Sequence, residues 1–109
     1  MGIPSGALSV VARQSGDAIR LAVTGEIDMA TARTLDHALW AAIDQRPHSL
    51  VVDLDAVTFM ASAGVTCLLT ALRRARANGV TYVVTNCHGV VERVLQITGV
   101  YKTLTGGHA

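Results

Sequence analysis

The chain has 109 residues, half of them apolar, 16% charged, with a formal net charge of +1. That length suits one domain, and the apolar share can build a core from Val, Leu, Ile and Ala because aromatic residues are few. The near-neutral charge, with no basic stripe, argues against nucleic-acid binding by general electrostatics. No apolar run approaches the roughly 20 residues that cross a bilayer. Met1 to Gly6 has neither the basic start nor the apolar stretch of a signal peptide, so a cytoplasmic protein without membrane contact is expected. Cys67 and Cys87 fit a reduced compartment and suggest no disulfide framework.

In chain order, residues 1 to 6 read as a loose end. Ala7 to Arg13 reads as an edge strand, and Gln14-Ser15-Gly16-Asp17 as a turn. Ala18 to Thr24 alternates Ile19, Leu21 and Val23 on one face, which predicts a second strand in a hairpin with the first. Gly25-Glu26-Ile27-Asp28 ends that strand, with Asp28 placed to cap the next helix. Ala32, Leu35, Leu39, Ala42 and Ile43 then recur at helical spacing to about Asp44, and Pro47 rules out more helix.

Ser49 to Leu54 has the pattern of a buried central strand, followed by a short turn. Small residues then lead from Ala61 and Ser62 into a helix whose apolar face is Val65, Leu68, Leu69, Leu72 and Ala75. Arg73, Arg74 and Arg76 suit the negative end of that helix, and Asn78-Gly79 stops it. Val80 to Thr85 predicts a strand. Val90, Val91, Val94, Leu95 and Ile97 predict a third helix ending at Gly99. Val100 to Leu104 is expected to add a short edge strand, with 105 to 109 loose. Strand-helix alternation after an opening hairpin predicts one α/β domain over residues 1–109. Its ordered core runs from about 7 to 104, in a mixed sheet of four to five strands with three or four helices packed mainly on one face.

Ser62 is the position of greatest functional interest. A hydroxyl at a helix start lies beside free N–H groups and the positive end of the dipole, so an added phosphate would be tolerated there. The plain alternative is a helix cap. Gly64 reads as keeping the helix start open to a partner's backbone. Trp40 is expected to cover the core edge. Cys87-His88 lacks any paired ligand spacing, so no metal is expected, and no Gly-rich phosphate loop, cofactor motif or catalytic set is present.

Three stretches together resemble one family. Gly25-Glu26-Ile27-Asp28-Met29-Ala30-Thr31-Ala32 is similar to its segment between second strand and first helix. Val51 to Val65, containing Asp53-Leu54-Asp55 and Ala61-Ser62-Ala63-Gly64-Val65, is similar to its central strand and phosphoacceptor loop. Val91 to Val100 is similar to its last helix. The family is the STAS domain, and within it the bacterial anti-sigma-factor antagonists.

The resemblance implies a non-enzymatic regulator that binds an anti-sigma factor, itself a serine kinase, and so frees a sigma factor. It implies phosphorylation of Ser62 as the off signal and a serine phosphatase as the reset. A partner surface made by Asp28, Ala61, Ser62, Ala63, Gly64 and Val65 follows, on a monomer or weak dimer that needs no cofactor. One residue departs from the pattern, since Ala61 stands where the family usually has Asp. The alternative suggested by Ala61 is a STAS module that senses a small ligand or nucleotide, or scaffolds a signalling complex, without a phosphoswitch.

Overall fold

A computed structural model describes residues 7–106. Four strands, β1 (Leu8–Ser15), β2 (Ala18–Ile27), β3 (Ser49–Met60) and β4 (Thr81–Thr85), lie in the order β1-β2-β3-β4. The Gly16-Asp17 turn folds β1 antiparallel onto β2, while β2, β3 and β4 run parallel. Helix α1 (Ala32–Asp44) joins β2 to β3, and α2 (Ser62–Ala77) joins β3 to β4. Helices α3 (Gly89–Ile97) and α4 (Tyr101–Thr105) follow β4. Because each parallel strand is followed by a helix, α1, α2 and α3 all begin at the same edge of the sheet, where α/β folds place their sites.

The inward face of the sheet carries Ile19, Leu21, Leu50, Val52 and Val84. Leu35, Leu39, Ala42 and Ile43 of α1 and Leu68, Ala71, Leu72 and Ala75 of α2 join them in one buried cluster. This is a mixed sheet of four strands, within the four to five expected, with its principal helices on one face. The amphipathic spacing of both helices gives each a single apolar stripe for that purpose. Among the described residues, no helix is long and apolar enough to cross a membrane.

Three expectations are corrected. The strands β2 and β3 both run beyond their predicted ends, to Ile27 and Met60. The stretch after Leu54 is no turn: register shifts between Ala22 and Thr24 and between Gly25 and Glu26 each let β3 carry one extra residue against β2. Bulges of this kind rotate the strand, so burial changes from every second residue (Leu50, Val52, Leu54) to every third (Val57, Met60). Secondly, Val100 to Leu104 is not an edge strand. Most of it forms α4, since Val100 and Leu104 lie one helical turn apart and Leu104 is fully buried. Burial there outweighs the β preference of Val, Tyr and Thr.

Thirdly, Thr105 closes α4, so the expected loose end does not include it; residues 1–6 and 107–109 lie outside the described residues. Arg74, in the last turn of α2 as expected, also meets α1. Its guanidinium lies 4.6 Å from the centre of the Trp40 ring and 3.1 Å from Asp44. Trp40 thereby covers the edge between α1 and α2 while staying partly exposed.

Two groups in the sheet give direct tests. The buried Tyr82 hydroxyl donates to the Leu68 carbonyl at 3.0 Å, tying β4 to α2. Tyr82→Phe is expected to lower stability by about 1 kcal/mol in urea denaturation, because the bond is lost while that carbonyl keeps its place in the helix. Asp53 accepts from Arg20 at 2.9 Å, Asn86 at 3.0 Å and the Asp55 N–H at 2.9 Å. Its partial burial alone would push the carboxyl pKa up; the bonds from Asn86, Asp55 and Arg20 outweigh that and hold it below the ordinary 3.8. A depressed carboxylate stabilises the fold above its unfolded pKa, and that contribution is lost as pH falls through the folded value. Stability should therefore decline on acidification from about pH 4 downward, and Asp53→Asn should flatten that limb in urea melts.

Candidate functional site

The adjoining parallel strands β2 and β3 end together. Ile27 is paired with Met60, and the Ala61 N–H donates to the Ile27 carbonyl at 2.8 Å. The chain leaving β2 and the chain leaving β3 therefore emerge side by side, about one strand spacing (~4.8 Å) apart. The first becomes the turn Asp28–Thr31 and the second becomes the start of α2.

The turn is closed by its own side chains. Asp28 Oδ1 accepts from the N–H groups of Ala30 at 2.9 Å and Thr31 at 3.0 Å. The Thr31 hydroxyl donates to the Glu26 carbonyl at 2.8 Å and accepts from the Asp28 N–H at 2.9 Å. Asp28 is therefore not the cap of α1, a place taken by Thr31; its carboxylate holds the preceding turn in shape. Thr31 is buried, with its hydroxyl and N–H both engaged in this turn, a role its place in the sequence does not mark.

At the other chain end, Ala61 is extended and occupies the cap of α2, with no side-chain acceptor to offer. Ser62 is the first helical residue, one place later than a capping serine would sit, and it is exposed. The Ala61 carbonyl takes the N–H of Gly64 at 2.9 Å and of Val65 at 3.4 Å. The N–H groups of Ser62 and Ala63 meet no acceptor among the described residues. Ala61→Asp is expected to fill this gap and stabilise the protein by about 1 kcal/mol in urea denaturation, the usual worth of an N-cap.

The predicted partner residues divide. Asp28, Ala61 and Ala63 are half-buried and Ser62 is exposed, so these four reach the surface. Gly64 and Val65 are buried and face inward. Gly64 does not present backbone to a partner as expected. A Cβ added there would lie 2.5 Å from Ile27 Cγ2 and 3.0 Å from Met60 Cγ, so the glycine lets α2 press against the ends of β2 and β3. It is this contact that fixes Ser62 beside the Asp28 turn.

Two surface residues went unassigned in the sequence. Met29 is 86% exposed and Phe59 44% exposed, and both lie on these same two chain ends. The available signal was an apolar residue inside turn chemistry for Met29, and a break in strand alternation for Phe59.

The neighbouring thiol of Cys67 is free and buried. Burial, with Asp36 adding, pushes Cys67 up to about 12, so at neutral pH it is a protonated core residue whose Sγ lies 3.6 Å from the Ala32 carbonyl. Burial likewise pushes Cys87 up to about 11, with Glu92 adding. Next to it His88 Nε2 contacts the Asp55 carbonyl at 2.8 Å. No group of three or more His, Cys, Asp or Glu side chains arranged for a metal occurs among the described residues. Chemically, the site offers an accessible hydroxyl at an uncapped helix start.

The chain is similar to known proteins over most of its length. The family model for the STAS domain matches residues 9–106. The anti-sigma-F factor antagonist RsfB of Mycobacterium tuberculosis is 33% identical over 103 residues, spanning 94% of this chain and 83% of that protein. The crystal structure of an anti-sigma factor antagonist from Mycobacterium paratuberculosis is similar with a TM-score of 0.79 and 28% identity, over 95% of this chain and 87% of that one. The antagonist SpoIIAA in its unphosphorylated form gives a TM-score of 0.70 over 85% of this chain and 83% of its own, and at 21% identity it speaks for the fold alone. With a family match across nearly the whole described chain and a curated relative above 30% identity, this chain belongs to the STAS domain family.

Proposed function

We propose that this chain is an anti-sigma-factor antagonist that acts in the cytoplasm as a monomer or weak dimer, with no catalytic activity of its own. It binds an anti-sigma factor that is also a serine kinase, and so frees a sigma factor for transcription. Phosphorylation of Ser62 ends the binding, and a serine phosphatase restores it. The contact surface is the Ser62 helix start with the Asp28 turn; Gly64 and Val65 support it from beneath. The observation that carries this reading is the exposed Ser62 hydroxyl at the uncapped start of α2. Kinship with RsfB supports it.

The physics of the switch is local. A phosphate adds about −1.5 to −2 charge at neutral pH, which the open N–H groups of α2 partly offset, so the fold survives. The test is intact-mass analysis after incubation with ATP and the anti-sigma-type serine kinases of the source organism. A gain of one phosphate, absent in Ser62→Ala, is expected; no gain with any such kinase rules the switch out.

A second reading has a foothold in Ala61 and in a cavity of about 460 Å³ on the sheet face bearing Arg20, Val51 and Val83, also lined by Asn86 and Tyr101. There the module senses a small ligand or nucleotide without a phosphoswitch. A rise in thermal stability with members of a nucleotide panel, and none with a kinase partner, would favour it.

A further inference from the structure

We propose that two copies of this chain join along β1, strand against strand about a two-fold axis at Val11, to form one continuous sheet. The pairing does not depend on the antagonist reading and goes beyond it.

Among the described residues, β1 pairs with β2 alone, so its other side is an open edge. The Glu26 N–H donates to the Ala7 carbonyl at 3.3 Å. Ala7, and with it Ser9, Val11 and Arg13, therefore turn their peptide groups toward β2. Leu8, Val10, Ala12 and Gln14 turn theirs to the open edge. Edge strands are ordinarily guarded by proline, by a bulge or by several charges. β1 has no proline, pairs with β2 through an unbroken register and carries Arg13 as its one charged residue.

Beside this edge lies an apolar trough. A cavity of about 230 Å³ opens between β1 and α1, floored by the buried Ile19 and Leu21 and walled by Val10, Ala12, Ala38 and Ala41. Arg13 is the one charged residue that lines it. Ala12 is in register with Leu21 on the inward face, yet it is exposed, because a methyl group is too short to close the gap to α1.

A second copy of the same strand fits this edge. The two-fold at Val11 sets Val10 of each copy opposite Ala12 of the other, large against small, on the side of the trough. On the outer face it sets Val11, which is 50% exposed, against its own counterpart and Arg13 against Ser9, so like charges do not face each other. Moving the axis by one residue either way leaves Val11 facing Ser9 or Arg13. Helix α1 packs on both β1 and β2, so its counterpart across the axis comes to lie ~10 Å away, within helix-packing distance. Such an approach needs small side chains between the helices. Ala38 and Ala41 supply them at the level of the axis, since they line the trough together with Val10 and Ala12.

From Leu8 to Gln14 the paired edge is roughly 24 Å long. A contact one strand and one helix deep over that length falls short of the roughly 800 Å² per partner of standard interfaces, so the association is micromolar rather than tight. The two-fold points the carboxyl ends of β2 and β3 in opposite directions. The two Ser62 helix starts therefore lie at opposite ends of the dimer and stay uncovered, so one dimer can hold two partners at once.

The test is sedimentation equilibrium of wild type and Val11→Lys from micromolar to submillimolar concentration, with disulfide trapping of Val11→Cys, Ser9→Cys and Arg13→Cys by oxidised glutathione. Wild type is expected to dimerise with micromolar affinity. Val11→Lys, which sets two ammonium groups face to face at the axis, is expected to weaken that at least tenfold with an unchanged circular-dichroism spectrum. Val11→Cys is expected to trap a covalent dimer, because directly opposite residues stand ~4.5–5.5 Å apart. Ser9→Cys and Arg13→Cys are expected to trap one only when mixed with each other. Wild type, with Cys67 buried and Cys87 half-buried, is the trapping control. A wild type that stays monomeric throughout overturns the dimer. A dimer that Val11→Lys leaves intact, or that Val11→Cys fails to trap, is built on another surface and overturns the β1 edge. None of these measurements uses the anti-sigma factor, so the antagonist reading stands or falls separately.

Discussion

Ser62→Glu is expected to weaken binding to the anti-sigma factor by about a hundredfold, while Ser62→Ala leaves it within a few-fold of wild type. Ser62 is exposed and its side chain caps nothing, so neither change removes a contact on which the fold depends. What glutamate adds is a charge that must lose water when the partner closes over it. A penalty of about 3 kcal/mol suffices for that drop in affinity. The measurement is a dissociation constant for each variant by calorimetry. Equal affinities for wild type and Ser62→Glu would remove the switch from the proposal. Thermal melts of the same samples should agree to within about 0.5 kcal/mol, the usual range for a surface substitution.

Gly64→Val is expected to destabilise the protein by about 3 kcal/mol, a Tm fall on the order of 10–20 °C for a domain of this size. The first added carbon alone would meet Ile27 Cγ2 at 2.5 Å and Met60 Cγ at 3.0 Å, and both neighbours are buried. Helix α2 can relieve the clash only by lifting away from β2 and β3. That movement opens the core beneath it and carries Ser62 away from the Asp28 turn. Binding to the anti-sigma factor should therefore weaken as well, even well below the melting temperature. Thr66→Val, on the exposed side of the same helix, is the control and should change stability by less than about 0.5 kcal/mol. A Gly64→Val protein as stable as wild type would show that the close approach of helix and sheet is not required.

Much of this site is legible in the residues themselves. The run Ser49 to Leu54 has no way to bury its Val and Leu side chains except as a central strand. The spacing of Val65, Leu68, Leu72 and Ala75 can only be a helix packed by one face. Ser62 follows as a residue at the mouth of that helix, and the quoted stretches from Gly25 and from Val51 carry the family resemblance. The details of the cap were not legible. Serine, aspartate and threonine all suit helix starts, and which one takes the place depends on where the strand before it stops. That stop lies six residues past Leu54, because β3 continues through two bulges. A bulge shifts side chains from one face to the other without any residue type that marks it.

By itself, then, the amino-acid order determined the elements wherever one periodicity ran unbroken: the hairpin, α1, the first half of β3, α2, β4 and α3. It also determined that a serine would open α2. Only the tertiary structure decided that the Asp28 turn stands beside Ser62, because adjacency of β2 and β3 is a matter of pairing between segments some thirty residues apart. It likewise made α4 a helix, turned Gly64 and Val65 inward and left Met29 and Phe59 in water. The physical reason is common to all of these. Local pattern records which face of a segment is apolar, whereas burial, register and exposure depend on what lies across from that face, and that is known only once the chain has packed.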